Sequence, residues 1–334
     1  MRSILAMTLL AVCACACGSS PDSSSEQGSG RPELAVGTNP ISLYLVNDGK
    51  LEEIRSGIRP AWSPDGRQLA YGGDYDGNVW VDDRSYPVGD ITGGRLAWTP
   101  DGQSLLYERG GIRLLDTTTG AERLVSPGTW PALSPDGRTV AYLRYKRQKG
   151  TKNAIAATLE VVELAGGNRR VLARTTGPEF GPHFEWPPQW FPDGSAVAVA
   201  RRIAQQGPWA VERVGLDGSR EVIAPQVGGE FALSPDGRRI AYLPPNYHIG
   251  LGVAPVGRAG QVYDLRRFIP NASLDLTGFG GLTWSPDGTE VAFYVSAGAE
   301  TLRVYALEAD GGNPRMLAEI SQADSADLAW NPNR

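Results

Sequence analysis

The chain contains two histidines, and both fall in segments that carry other groups able to bind or react. His183 stands with Glu185 and Trp186 in RTTGPEFGPHFEWPP (174–188), and His248 follows Tyr247 in PPNYHIG (244–250). Two imidazoles and a carboxylate are a donor set for zinc or iron. Here Glu185 and His248 are 63 positions apart, so spacing alone assembles no such site and none is expected. Cationic groups gather in the same stretch of sequence. RYKRQKGTKN (144–153) carries Arg144, Lys146, Arg147, Lys149 and Lys152, and Arg201 and Arg202 follow. Guanidinium groups suit a carboxylate or phosphate, or the C-terminus and acidic side chains of a peptide. No nucleophile triad and no acid–base pair stands out, and nothing calls for a cofactor. A net charge of -5 argues against nucleic acid, which favours a concentrated basic footprint.

What would position these groups is a repeat. Trp62 to Tyr71 reads WSPDGRQLAY, Trp98 to Tyr107 WTPDGQSLLY, Leu133 to Tyr142 LSPDGRTVAY, Trp190 to Val199 WFPDGSAVAV, Leu233 to Tyr242 LSPDGRRIAY and Trp284 to Phe293 WSPDGTEVAF. Trp330-Asn331-Pro332 is a truncated seventh copy. In each, a large apolar residue ends a strand. Pro-Asp-Gly then makes a tight turn, with proline presetting φ and glycine accepting positive φ. An apolar-small-aromatic strand follows, and further strands such as GIRLLD (111–116), LEVVEL (159–164) and TLRVYAL (301–307) continue each copy. Four antiparallel strands per copy make a propeller blade, and one blade alone cannot bury both of its faces. The repeated Asp65, Asp101, Asp136, Asp193, Asp236 and Asp287 read as turn-formers, and the repeated tryptophans and tyrosines as blade packing.

The chain ends predict the closure. ADLAW (326–330) supplies one innermost strand, while ELAV (33–36), ISLYLV (41–46) and LEEI (51–54) supply three without an innermost partner. The expected fold is therefore an all-β, seven-bladed propeller closed by one C-terminal and three N-terminal strands, with six blades as the alternative count. The repeat resembles the WD-like repeat of TolB-type propellers, over nearly the whole chain after residue 33. That resemblance implies a propeller scaffold and leaves activity open. The α/β-hydrolase portion of the peptidase relatives and its Gly-x-Ser-x-Gly elbow are not found in these residues.

The N-terminus reads as an export signal: Arg2, an apolar run over 4–12, then AVCACACGSS (11–20) and the polar SSPDSSSEQGSG (19–30). This pattern resembles a bacterial lipoprotein with Cys15 or Cys17 as the lipid-bearing residue; plain secretion is the alternative. All three cysteines lie at 13, 15 and 17, which leaves the folded part without disulfide, thiol nucleophile or thiolate metal site. The expected organisation is a signal over 1–17, a flexible tether over 18–32 and one propeller over 33–334.

Function is expected where the blades differ, in the second-to-third-strand loops and the links between blades. The expected binding face lies over blades three to five, with Arg144, His183, Glu185, Trp186, Arg201, Arg202, Tyr247 and His248 as its candidates and FIPNASLDLTGFG (268–280) as a wall. Set against this, the basic loop reads as a solvated hairpin tip and the histidines as surface residues. Three functions follow: a non-catalytic envelope scaffold for a protein or peptide partner or a small anionic ligand, an enzyme of the metal-assisted lyase or hydrolase kind, and a structural part of an envelope assembly.

Overall fold

The computed structural model describes residues 32–333, except 40, 74–76, 90, 92, 148–153, 177–185, 203–207, 246–249, 259, 266–275, 298–300 and 324. Residues 31–334 form one compact unit. Residues 1–31, with Cys15 and Cys17, lie outside the described residues. Twenty-eight strands, β1 to β28 in chain order, pair into seven four-stranded antiparallel sheets. Six are built from consecutive strands. Their innermost members are β4 (Ile58–Trp62), β8 (Gly93–Trp98), β12 (Thr129–Leu133), β16 (Gln189–Trp190), β20 (Phe231–Leu233) and β24 (Leu276–Trp284). The seventh runs β28 (Ser325–Trp330), β1 (Leu34–Asn39), β2 (Ser42–Asn47), β3 (Lys50–Arg55). The expected closure of a seven-bladed propeller is thus present, with Leu34 opposite Trp330 and Asn39 opposite Ser325. The seam is tied further where the Asn331 backbone N–H donates to the Glu33 carbonyl at 2.9 Å and its buried side-chain amide donates to the Gly66 carbonyl at 3.1 Å.

Residue choice within each repeat has a bonding reason. An innermost strand has a ladder partner on one side only, so part of its backbone must find partners elsewhere. The motif tryptophans supply them. The Trp62 indole N–H donates to the Ala329 carbonyl, Trp98 to Ala61, Trp190 to Ala132, Trp284 to Ala232 and Trp330 to Thr283, at 2.9–3.3 Å. Each acceptor lies on the preceding blade, one residue before that blade's own motif aromatic or leucine. Leu133 and Leu233 have no such donor, and side chains fill in. At the junction of blades four and five, Gln189 donates to the Phe231 carbonyl (2.8 Å) and accepts from the Leu233 N–H (2.9 Å). Between blades two and three, Glu108 accepts from the Thr129 hydroxyl (2.6 Å) and the Trp130 N–H (2.8 Å).

The motif aspartates do local work at the turn. Ser63 donates its hydroxyl to Asp65 (2.6 Å) and accepts from the Gln68 N–H (2.9 Å), while Asp65 takes the Arg67 N–H (3.1 Å). The same set recurs around Asp101, Asp136, Asp236 and Asp287. Neighbouring turns stack: Gly137, at φ 71°, lies so close to Pro100 of the preceding blade that a side chain there would overlap the ring. Hydroxyl donors, from Thr99, Ser134, Ser234 and Ser285, are the main reason Asp101, Asp136, Asp236 and Asp287 are held below the ordinary aspartate range; at Asp193 it is the Ser195 N–H.

A carboxyl depressed on folding stabilises the fold at every pH above its unfolded value, and that contribution is lost as pH falls through the folded value. The aspartates' share of the urea unfolding midpoint should therefore be constant above pH 5 and fall progressively below about 4, where unfolded aspartates protonate. Converting the four hydroxyl donors to alanine should shrink this acid-dependent loss.

Candidate functional site

The innermost strands do not run straight. Pairing with the second strand shifts register across Ile58/Ala61, Gly93/Ala97, Thr129/Ala132 and Gly280/Thr283. Each interval contains the residue three positions before the motif aromatic or leucine. A bulge turns the strand and re-aims a side chain. At about 3.3 Å per residue, this position lies roughly 10 Å along the strand from the Pro-Asp-Gly turn, toward the opposite face of the ring. The position is Arg59 in blade one, Arg95 in blade two, Trp130 in blade three and Pro187 in blade four. It is Glu230 in blade five, Gly281 in blade six and Asp327 in blade seven.

These seven residues line one cavity of about 620 Å³ on the ring axis. The second-to-third-strand turns of blades seven and one, with Asn39, Ile41, Gly77 and Asn78, line it as well, so the cavity belongs to the variable-loop face. Its wall is divided by chemistry. Arg59 and Arg95 are adjacent on blades one and two; Trp130, Trp186 and Phe231 form an apolar sector across blades three to five; Glu230 and Asp327 stand on blades five and seven.

Two residues at this position are conformationally costly. Arg59 and Trp130 both have φ 55°, the left-handed region, while Gly281 in the equivalent place has φ 71°. Glycine takes this conformation freely, but a bulky residue there costs on the order of 1–3 kcal/mol. Backbone N–H groups freed at the bulge are capped by glutamates: Glu108 takes the Trp130 N–H, and Glu230 takes those of Gly281 (3.2 Å) and Leu282 (2.9 Å). Burial pushes the Glu230 carboxyl above the usual carboxylate range, against the opposing pull of the Arg95 guanidinium. Arg59 donates to the Ile91 carbonyl at 3.2 Å. Among the described residues, Arg95 and Asp327 make no side-chain hydrogen bond and no ion pair within 4 Å, and the Trp130 and Trp186 indole N–H groups donate to no protein acceptor.

Of the residues singled out from sequence, Trp186 lines the cavity. Its indole packs on Gly229 (φ 122°), where a side chain would overlap the ring, and stands edge-on to Trp209 at 5.5 Å. The Arg202 guanidinium lies 5.0 Å over Trp209, so Arg202 reaches the cavity wall only through two indoles. Arg144 and Arg201 are placed elsewhere, at the same blade position as Arg109. Each belongs to a polar cluster around a glutamate. Arg201 donates to Glu212 (2.8 Å) beside Arg220; Glu160, 3.6 Å from Arg144, accepts from the Tyr142 and Thr158 hydroxyls; Glu122 binds Arg109, Arg113 and Tyr107. Glu160 and Glu212 are buried, so these guanidiniums serve as their counter-charges. His183, Glu185, Tyr247 and His248 lie outside the described residues, as do 148–153 of the basic loop. Among the described residues no three His, Cys, Asp or Glu side chains could hold a metal ion together. The ring residues were legible in principle: the repeat sets the offset, and function was sought where blades differ, but a position filled by Arg, Trp, Pro, Glu, Gly and Asp forms no motif.

No protein-family model and no curated protein matches the sequence. Solved structures do match in shape. TolB from Acinetobacter baumannii superposes with a TM-score of 0.53 at 16% identity, over 90% of this chain and 66% of that one. A puromycin hydrolase gives 0.60 at 18% identity, over 89% of this chain and 55% of that one. The β-propeller domain of Cps50 (Swd1) from Myceliophteria thermophila gives 0.58 at 18%, over 84% and 92%. The chain thus spans about two thirds of the TolB chain and about half of the hydrolase. At these identities the likeness is one of fold, and the TolB-type propeller suggested by the repeat has its counterpart there.

If the left-handed backbone at position 59 is imposed by the bulge, Arg59→Gly and Arg59→Ala should differ although both lose the bond to Ile91. The glycine variant should be the more stable by about 1 kcal/mol in urea unfolding. Equal midpoints would mean that the bulge relaxes and carries no strain.

Proposed function

We propose that this chain is a non-catalytic binding scaffold of the TolB-like propeller kind, tethered to the cell envelope by a lipid on Cys15 or Cys17. Its variable-loop face, with the axial cavity at its centre, is the binding face. The single observation that carries this reading is the unevenness of the ring. The turn face repeats one hydrogen-bonded motif almost unchanged, while the opposite end of the same strands presents Arg, Arg, Trp, Pro, Glu, Gly and Asp. A scaffold that needed only to close would have no use for bulky left-handed residues at Arg59 and Trp130. Its candidates are Trp186 on the cavity wall and Arg202 behind it, with His183, Glu185, Tyr247 and His248 added from the sequence alone; Arg144 and Arg201 brace blades three and four.

A protein or peptide partner in the envelope suits a rigid tethered ring. The tether reading supports action at a distance from the membrane, held there by the lipid alone. An enzymatic reading is kept in view by the puromycin hydrolase among the structural neighbours. It is favoured by shape only.

Two measurements test this proposal. Photo-crosslinking residues placed singly in cells at Asn39, on the cavity rim, and at Gln103, in an exposed Pro-Asp-Gly turn, should give a covalent protein adduct from Asn39 alone. Adducts from Gln103 only, or from neither, would remove the binding-face assignment. Metabolic labelling with a palmitate analogue should mark the chain, and replacing either Cys15 or Cys17 by alanine, but only one of them, should abolish the label. An unlabelled wild-type chain would leave plain secretion instead of anchoring.

A further inference from the structure

The chemistry of the cavity wall says more about the ligand than that one binds. A volume of about 620 Å³ is that of a small-molecule pocket, within the usual range of roughly 300–1,000 Å³. Among the described residues its charged groups are two cations and two acids, Arg59 and Arg95 against Glu230 and Asp327, and they stand in separate sectors. Arg95 and Asp327 face the cavity without an ion pair within 4 Å and without a side-chain hydrogen bond among the described residues. A simple anion would meet the arginines but also the two acids. A simple cation would meet the reverse. A neutral apolar molecule would displace water from four ionisable groups and return no hydrogen bond, which is costly. Trp130 and Trp186 add flat apolar surface, and among the described residues their indole N–H groups meet no acceptor, unlike those of the five motif tryptophans, which are all spent on a neighbouring blade.

We propose that the axial cavity binds a small zwitterion carrying a flat apolar group, an aromatic amino acid or a short peptide that contains one. Its carboxylate lies against Arg59 and Arg95, its ammonium against Asp327 and Glu230, and its ring against Trp130 and Trp186. Arg59 keeps guanidinium donors beyond the one given to Ile91. Glu230 is already committed to two backbone N–H groups, so Asp327 is the acid with the greater free capacity. The assignment rests on the proposal that the variable-loop face is the binding face.

Isothermal titration of the full-length protein with L-phenylalanine, phenylalanyl-phenylalanine, its N-acetyl derivative and its C-terminal amide tests the assignment directly. One or both free zwitterions should bind at a single site, and the comparison of the two says whether the site takes a free amino acid or a peptide. Acetylating the amine or amidating the carboxylate should each weaken binding by about tenfold or more, the loss of one charge-assisted contact. Arg95→Gln should bind the amide as well as it binds the parent while still discriminating against the acetyl derivative; Asp327→Asn should do the opposite. Both side chains act electrostatically on the buried Glu230, so the melting temperature of each variant is read beside its affinities, and the discrimination between parent and capped forms is compared within one variant. The proposal fails if neither zwitterion gives saturable heat at millimolar concentration, or if the capped forms bind as well as their parent. Should it fail while Asn39 still forms its protein adduct in cells, the binding face stands and only the ligand class is wrong. Loss of the adduct with zwitterion binding intact would instead separate the cavity from any protein partner.

Discussion

An innermost propeller strand is bonded on one side only, and most of this sequence can be understood as the answer to that fact. Its second edge faces the axis and the neighbouring blade, where no strand is available. Five indoles reach across to the carbonyl just before the preceding blade's own motif residue, which makes blades one, six and seven each a donor to one neighbour and an acceptor from the other. The two leucine copies show that the requirement is for bonding and not for tryptophan. Gln189 bridges one gap from the other direction, and Glu108 takes hydroxyl and N–H donors at the second. The chain termini obey the same rule, since Trp330 donates to Thr283 while Ala329 accepts from Trp62. With closure complete, the edges that remain are the short outer strands of the blades.

This constraint explains which parts of the molecule could be read from residues alone. Turn, tryptophan and strand pattern recur because backbone bonding demands the same side chain at the same offset in every copy, so blade count and closure were legible. The aspartates were legible for the same reason, since each answers to a hydroxyl or N–H two residues away. Arg144 and Arg201 were misleading in kind: a cation in a variable segment resembles a ligand contact, and only the buried Glu160 and Glu212 on the paired strand show what neutralises it. That pairing depends on strand register, which spacing in the chain does not reveal. Trp186 lines the cavity because the link before blade four ends there.

The cavity ring lay in plain sight but without a signature. In blades one, two, three and six the position three residues before the motif aromatic or leucine is where the bulge turns the strand, and the bulge asks only that the backbone kink. Glycine satisfies that demand in blade six without strain. Side-chain identity there is therefore free of the bonding that governs the turn and the indole, and the ring can be charged or apolar sector by sector while the scaffold stays the same. That separation also preorganises the site. Arg59, Trp130, Glu230, Gly281 and Asp327 stand on blades that receive an indole from the next one, and Arg59 and Trp130 are held in conformations that a loose strand would abandon. Affinity in such a cavity depends less on ordering the protein than on matching its fixed pattern of charge, so a ligand is selected by where its own charges and flat surface fall.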